Sequence, residues 1–417
     1  MVSSDIAVAG RCGAVAEGHG SAHLIQTPCG WRRSNGNCLQ AQTKRARETR
    51  NSGDKKNENN PQRFAQVRSA TWATTILSKP ASAAAEFELK LGVNTPDTHP
   101  LTLRLIEAAH VIGAQSSGRL NVTVFPNSQL GGDPEMLSQL RAGGIELLAA
   151  PSMTLSTLVP LSDLPSVGFA FASYDQVWAA MDGGVGDVVR DAITKAGIVP
   201  MKKIWDNGFR QITSSSSRQL NSVEDLRGFK IRVPVTALLT SLFSGLGALP
   251  SSISYSELYS ALQTHIVEGQ ENPLAQVSTG KLYEVQKYCA LSNHCWSGYW
   301  IVANRRALSS LPADLVDFVN THFDAAAIRE RADLQEMDRS LQAELAGKGM
   351  TFNKPDPVQF RAALVKAGFY TQWQKTYGAE AWAQIHVARL MSARMDLAAQ
   401  TNNRAPSVVV TAAESSE

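Results

Sequence analysis

Arg232 closes the run Gly228-Phe229-Lys230-Ile231-Arg232-Val233-Pro234, which reads as a strand that delivers a permanently charged guanidinium just ahead of a proline-marked turn into a helix. The planar five-donor fork of arginine suits a carboxylate gripped by two parallel bonds, although an isolated arginine on a strand is more often half of a surface ion pair. A second run changes that balance. Val267-Glu268-Gly269-Gln270-Glu271-Asn272-Pro273-Leu274 gathers four polar side chains around a glycine and a proline, which is poor core material and good site material. Signatures of catalysis are weak by comparison. Gly245-Leu246-Gly247-Ala248-Leu249-Pro250 lacks the third glycine of a dinucleotide cradle and follows a helical segment, so it reads as a helix stop. There is no phosphate-binding Gly-x-x-x-x-Gly-Lys run and no Gly-x-Ser-x-Gly elbow. Cys289, His294 and Cys295 match no standard zinc spacing, and a buried thiol pair or a disulfide is the better reading. No metal and no cofactor are expected. Asp133, Glu271 and His265 are the acid–base candidates, with no nucleophile to pair with them.

These runs need a scaffold, and hydrophobic periodicity supplies one. Phe87 to Val93 alternates as a strand, Leu101 to Ile112 repeats at helical spacing, and Leu120 to Pro126 is a second strand. Pro134 to Ala142 is a second helix and Ile145 to Ala149 a third strand, an order that implies a parallel, helix-covered sheet. A second alternating series runs through 199–205, 210–213 and 230–233 into a helix over 235–246, so two α/β lobes fit better than one. Tyr255 to Gln263 is an amphipathic helix, Trp296 to Val302 another strand, and Ala313 to Ala346 a long charged helix stopped by Gly347 and Gly349.

The 417 residues exceed what one core usually organises, in agreement with two lobes. Their formal charge of +3 is an average of unlike parts: residues 1–85 hold 12 Lys/Arg against 5 Asp/Glu, and residues 86–417 hold 28 against 32. The acidic body argues against a nucleic-acid partner. No apolar run reaches the roughly 18 residues that cross a bilayer. Residues 1–85 lack periodicity and read as a disordered basic extension; within them, 62–85 carry a basic, then apolar, then small-residue order like a secretory signal ending at Ala83 or Ala85. The tail 401–417 also lacks periodicity, leaving 86–400 as the folded, exported domain with two lobes.

A family resemblance rests on motifs in a fixed order. Gln129-Leu130-Gly131-Gly132-Asp133, Gly208-Phe209-Arg210, Leu226 to Pro234, Gly247-Ala248 with Pro250, Ser256 to Gln263, Glu268 to Leu274 and Tyr283 to Tyr288 resemble successive signatures of the substrate-binding subunits of tripartite ATP-independent periplasmic (TRAP) transporters. The similarity runs from about Phe87 to Tyr377. It departs at Thr264-His265-Ile266, where members often have a glycine. The resemblance implies a periplasmic binding-protein fold: two α/β lobes, joined by crossing strands and spanned by the long helix, closing on one organic acid. It implies that Arg232 is the principal carboxylate ligand, Arg210 a second cationic contact and Asn272 an orienting amide. Asn94, Asp133 and Tyr255 match positions that contact the rest of the ligand in sialic-acid binders, while Pro151 stands where those binders have a glutamate. Gln270, in the polar run, and Trp296, one of a cluster with Trp205, Tyr299 and Trp300, complete the candidate site; the ordinary reading of that aromatic cluster is core. The implied protein is a periplasmic monomer and not an enzyme, delivering its acid to a small and a large membrane subunit driven by an ion gradient. A sensor or scavenger on the same fold is the alternative, and an enzyme acting on an organic acid a more distant one.

Overall fold

A computed structural model describes residues 85–215 and 218–387. The segment 62–85 read as an export signal (apart from Ala85), the rest of the basic extension and the tail from 401 lie outside the described residues. Among the described residues twelve strands form two sheets. The first holds β1 (Phe87–Gly92), β2 (Leu120–Phe125), β3 (Leu147–Pro151), β4 (Ile198–Pro200), β5 (Trp205–Phe209) and β11 (Trp296–Asn304), in the order β2-β1-β3-β11-β4 with β5 also on β11. The second holds β6 (Gln211–Ser214), β7 (Lys230–Val233), β8 (Leu249–Ser252), β9 (Gly269–Asn272), β10 (Tyr288–Ala290) and β12 (Thr351–Asn353), in the order β12-β10-β6-β9-β7-β8.

The βαβαβ start pairs in parallel as expected, β1 lying between β2 and β3. The sheet is nevertheless mixed, because β11 joins β3, β4 and β5 antiparallel. The third strand lies at 147–151 instead of 145–149, and the expected strand over 199–205 is two strands, broken where Lys202 and Lys203 turn the chain. The helix expected over 235–246 is Ala237–Gly245, begun by Thr236, whose side chain accepts from the Leu238 N–H.

Two chain segments carry the fold from one sheet into the other. Arg210 alone separates β5 from β6, and 291–295 separate β10 from β11. The two crossings run antiparallel side by side, and the Arg210 N–H donates to Cys295 O (2.8 Å) between them. A third link is the helix Ala313–Gly347. Its first half, from Leu315 to Ala327, packs with Leu105, Ile112, Leu91 and Ile301 on one face of the first sheet. Its second half, Leu334, Leu341 and Leu345, packs with Leu262, Val267 and Val277 of the second lobe. The helices Pro357–Lys366 and Phe369–Tyr377, which sequence periodicity did not isolate, bring Phe360, Leu364, Phe369 and Trp373 against Leu239, Leu242 and Phe243.

The candidate ligand-binding cavity

A cavity lies where the two lobes and the crossings meet. The first lobe lines it with Asn94, just past β1, with Asp133 at the start of the helix Asp133–Ala142, and with residues 151–154. The second lobe supplies Arg232 and Pro234 from the end of β7, Tyr255 from the helix Tyr255–Gln263, Asn272 from the end of β9 and Gln276. The crossings add Asn207, Arg210 and residues 297–299.

Arg232 is 2% exposed, and its Nε donates to Ile253 O (2.8 Å). Among the described residues its Nη1 has no partner. Burial lowers the guanidinium pKa to about 10, with the Glu271 charge opposing, so it remains charged at neutral pH. A buried cation with an unspent donor facing a cavity is costly unless something anionic completes it.

Arg210, expected as a second cationic contact, lines the cavity with a counter-ion of its own. Its Nε and Nη2 fork onto the Glu271 carboxylate, Nη2 at 2.9 Å, while Nη2 also meets Glu271 O and Asn272 Oδ1 and Nη1 reaches Ser297 Oγ (3.1 Å). Its charge is therefore matched internally, and what it offers the cavity is at most one remaining N–H on Nη1. Burial would raise Glu271, but Arg210 and His294 outweigh it and hold the carboxyl below its ordinary value. His294 Nε2 lies 3.1 Å from Glu271 Oε2 and its Nδ1 2.8 Å from Ser292 Oγ. A carboxylate only accepts, so Nε2 carries the proton and Nδ1 accepts from the serine. Burial lowers the pKa of this histidine, and it is neutral.

The polar run that marked the site is itself β9, with all four residues buried between β6 and β7. It spends much of its polarity on structure: Gln270 Nε2 donates to Thr213 Oγ1 (2.9 Å), and Asn272 Nδ2 donates to Gln270 Oε1. Gln270 does not line the cavity, and neither does Trp296, whose Nε1 donates to Asp206 Oδ1 (2.8 Å) and whose ring meets Trp178 edge-on. Trp205, Trp296 and Trp300 are core; of the aromatic cluster only Tyr299 reaches the cavity. Cys289 and Cys295 are buried free thiols, and burial raises the pKa of both. Glu271, His294 and Cys295 bring their ligating atoms within 4.8 Å of one another, but Arg210 and Ser292 already occupy the first two. His265 is exposed, away from the cavity, with φ +56°. That is backbone glycine adopts freely, which accounts for the glycine common at this position in the resembling family.

The sequence reading missed Asn207, Gln276 and Ser297, single polar residues in apolar or turn contexts with no spacing signal of their own.

Comparison with known proteins decides the family. Residues 91–374 match the model described as bacterial extracellular solute-binding protein, family 7. The chain belongs to this family, the TRAP-type solute-binding proteins. It is 32% identical over 283 residues to the uncharacterized protein y4mM of Sinorhizobium fredii, a match covering 68% of this chain and about half, 50%, of that protein. Its structure is similar to that of a TRAP periplasmic solute binding protein from Sulfurospirillum deleyianum with bound succinate, at TM-score 0.69 and 30% identity, covering 73% of this chain and 99% of that one. A second such protein, from Roseobacter denitrificans with bound L-galactonate, gives TM-score 0.66 and 28% identity over 69% of this chain and 94% of that one. Two lobes joined by crossing strands and spanned by a 35-residue helix are thus the architecture of this TRAP-type binding protein. Among the described residues no helix is long and apolar enough to cross a membrane.

Proposed function

We propose that this chain is the periplasmic binding component of a TRAP transporter: it captures an organic acid through its carboxylate and delivers it to a small and a large membrane subunit, without transforming it. The observation that carries this reading is Arg232, buried, charged and with Nη1 unpartnered among the described residues in the cavity between the lobes. Two parallel charge-assisted bonds would complete it, each worth about 1.5–3 kcal/mol against about 1 for a neutral bond. Asn272 and the remaining Arg210 N–H lie beside it to orient the same group. Contacts from both lobes favour the closed form, so ligand shifts an open–closed equilibrium by its differential affinity. The absence of transformation is supported by the acid–base candidates: Glu271 is held by Arg210, and His265 lies outside the cavity.

The test is calorimetric titration with organic acids. Arg232→Ala should lose affinity by about two orders of magnitude or more, because a carboxylate left buried without its partner costs several kcal/mol. Arg232→Lys should recover little, since the fork is gone. Wild-type affinity in Arg232→Ala would overturn the assignment.

A further inference from the structure

The carboxylate grip leaves the rest of the ligand undetermined, and the hydrogen-bond polarity of the opposite wall narrows it. Asp133, only 6% exposed, anchors that polarity. An ionised carboxylate only accepts, so Asn94 presents its Nδ2 to Asp133 Oδ2 (3.0 Å). Asn94 Oδ1 therefore faces Tyr299 and takes its hydroxyl proton (3.0 Å), leaving the tyrosine oxygen to accept from Gln276 Nε2 (2.7 Å). The relay runs one way, from glutamine to carboxylate, and every member lines the cavity. It ends on Asp133 Oδ1, which is buried and, among the described residues, has no partner. Burial raises Asp133 to about 6, opposed by the Asn94 bond and by Arg232, so the group is ionised at neutral pH.

Among the described residues the cavity therefore offers one unmatched cation, Arg232, because Arg210 is already neutralised by Glu271, and two unmatched acceptors, Asp133 Oδ1 and Asn207 Oδ1, beside the unpartnered hydroxyls of Ser152 and Tyr255. Resting on the carboxylate reading above, we infer that the site selects hydroxy monocarboxylates, such as aldonic and other hydroxy acids, and discriminates against dicarboxylates that carry no hydroxyl. The ligand carboxylate meets Arg232 and a ligand hydroxyl donates to Asp133 Oδ1. A second carboxylate has no proton to give; it leaves Asp133 unsatisfied and sets like charge against it in a cavity shielded from water. Sites built to bond a substrate hydroxyl reject analogues lacking it by factors up to about 10⁴–10⁵.

The full chain should be titrated calorimetrically at pH 7.5 with a panel of C3–C6 hydroxy monocarboxylates, their deoxy counterparts, succinate and glutarate. The expected result is a best hydroxy acid binding at least ~100-fold more tightly than succinate and than its own deoxy analogue. Asp133→Asn, which keeps the side-chain shape but supplies a donor, should reduce the succinate gap to less than ~10-fold, chiefly by weakening the hydroxy acid. Tighter binding of succinate by the wild type, or a gap unchanged in Asp133→Asn, overturns the inference. If that variant does not fold, the comparison of each hydroxy acid with its deoxy analogue decides alone: equal affinity overturns the inference. Failure of the underlying reading looks different, since then no acid binds or binding survives Arg232→Ala. Acids that bind through Arg232 but favour dicarboxylates sink only the selectivity.

Discussion

Two arginines of the same type, both buried in the same cavity wall, hold opposite roles because of their neighbours. Arg210 is satisfied by Glu271, Asn272 and Ser297, while Arg232 retains an unspent nitrogen. Glu271 is thus a structural counter-ion. Replacing it by alanine strands the Arg210 charge in the interior and should cost about 3–5 kcal/mol of stability. Denaturant unfolding measures this, and a loss below about 1 kcal/mol would show that Arg210 can reach water. The strand-and-proline context singled out Arg232 and the family resemblance pointed to Arg210 and Asn272, but neither could assign this division of labour. The partners Glu271 and His294 are 61 and 23 residues from the groups they bind, and only the pairing of β6 with β9 brings the first of them to Arg210. Trp296 was legible as an aromatic near the cleft; its partners Asp206 and Trp178, 90 and 118 residues away, were not.

Among the elements, β9 departs most from the rules by which strands are recognised. Gly-Gln-Glu-Asn has no β-branched or aromatic residue, yet it sits inside the second sheet because its neighbours satisfy each polar group. Its glycine is required by close approach: a Cβ on Gly269 would lie 2.2 Å from Thr213 O and 2.5 Å from the Phe229 ring. Gly269→Ala should therefore force the β6–β9 pairing apart and destabilise the protein by about 1–3 kcal/mol or more. A melting temperature within a degree of wild type would refute that. The helices Pro100–Gln115, Asp133–Ala142, Tyr255–Gln263 and Ala313–Gly347 and the first two strands were readable because one of their faces is apolar and the other is not. The short strands β8, β10 and β12 carry too few residues to show a period, and their place is fixed by partners distant in sequence.

At the scale of the molecule, buried carboxyls set the acid–base behaviour. Burial raises Asp163 and Asp338, like Asp133, to about 6. Asp206 and Glu330, where β5 meets the long helix, are pushed up first by burial, then Asp206 by the charge of Asp338 and Glu330 by the charge of Asp206. Unfolded carboxyls titrate near 4, so from about pH 4 to pH 6 and beyond these groups bind more protons in the folded chain than in the unfolded one, and their contribution to stability falls as pH rises; buried His99, lowered to about 3, and His294, also lowered, act in the opposite sense up to about pH 6.5. Glu271 and Asp182, held below their ordinary values, act in the opposite sense only at lower pH. The denaturation midpoint should accordingly be higher at pH 6.5 than at pH 8, above the window of the histidines, and Asp206→Asn should flatten the difference. A midpoint that climbs with pH across this window would contradict the assignment.

The free thiols Cys289 and Cys295 have a practical consequence. Both are buried and held in the protonated, unreactive form, so a maleimide dye or spin label finds no foothold on either in the native state. With Cys12, Cys29 and Cys38 replaced, one new surface cysteine on each lobe would be the only labelled position there. The separation of two probes would then report the opening and shutting of the molecule directly, in real time, against any acid added to the solution.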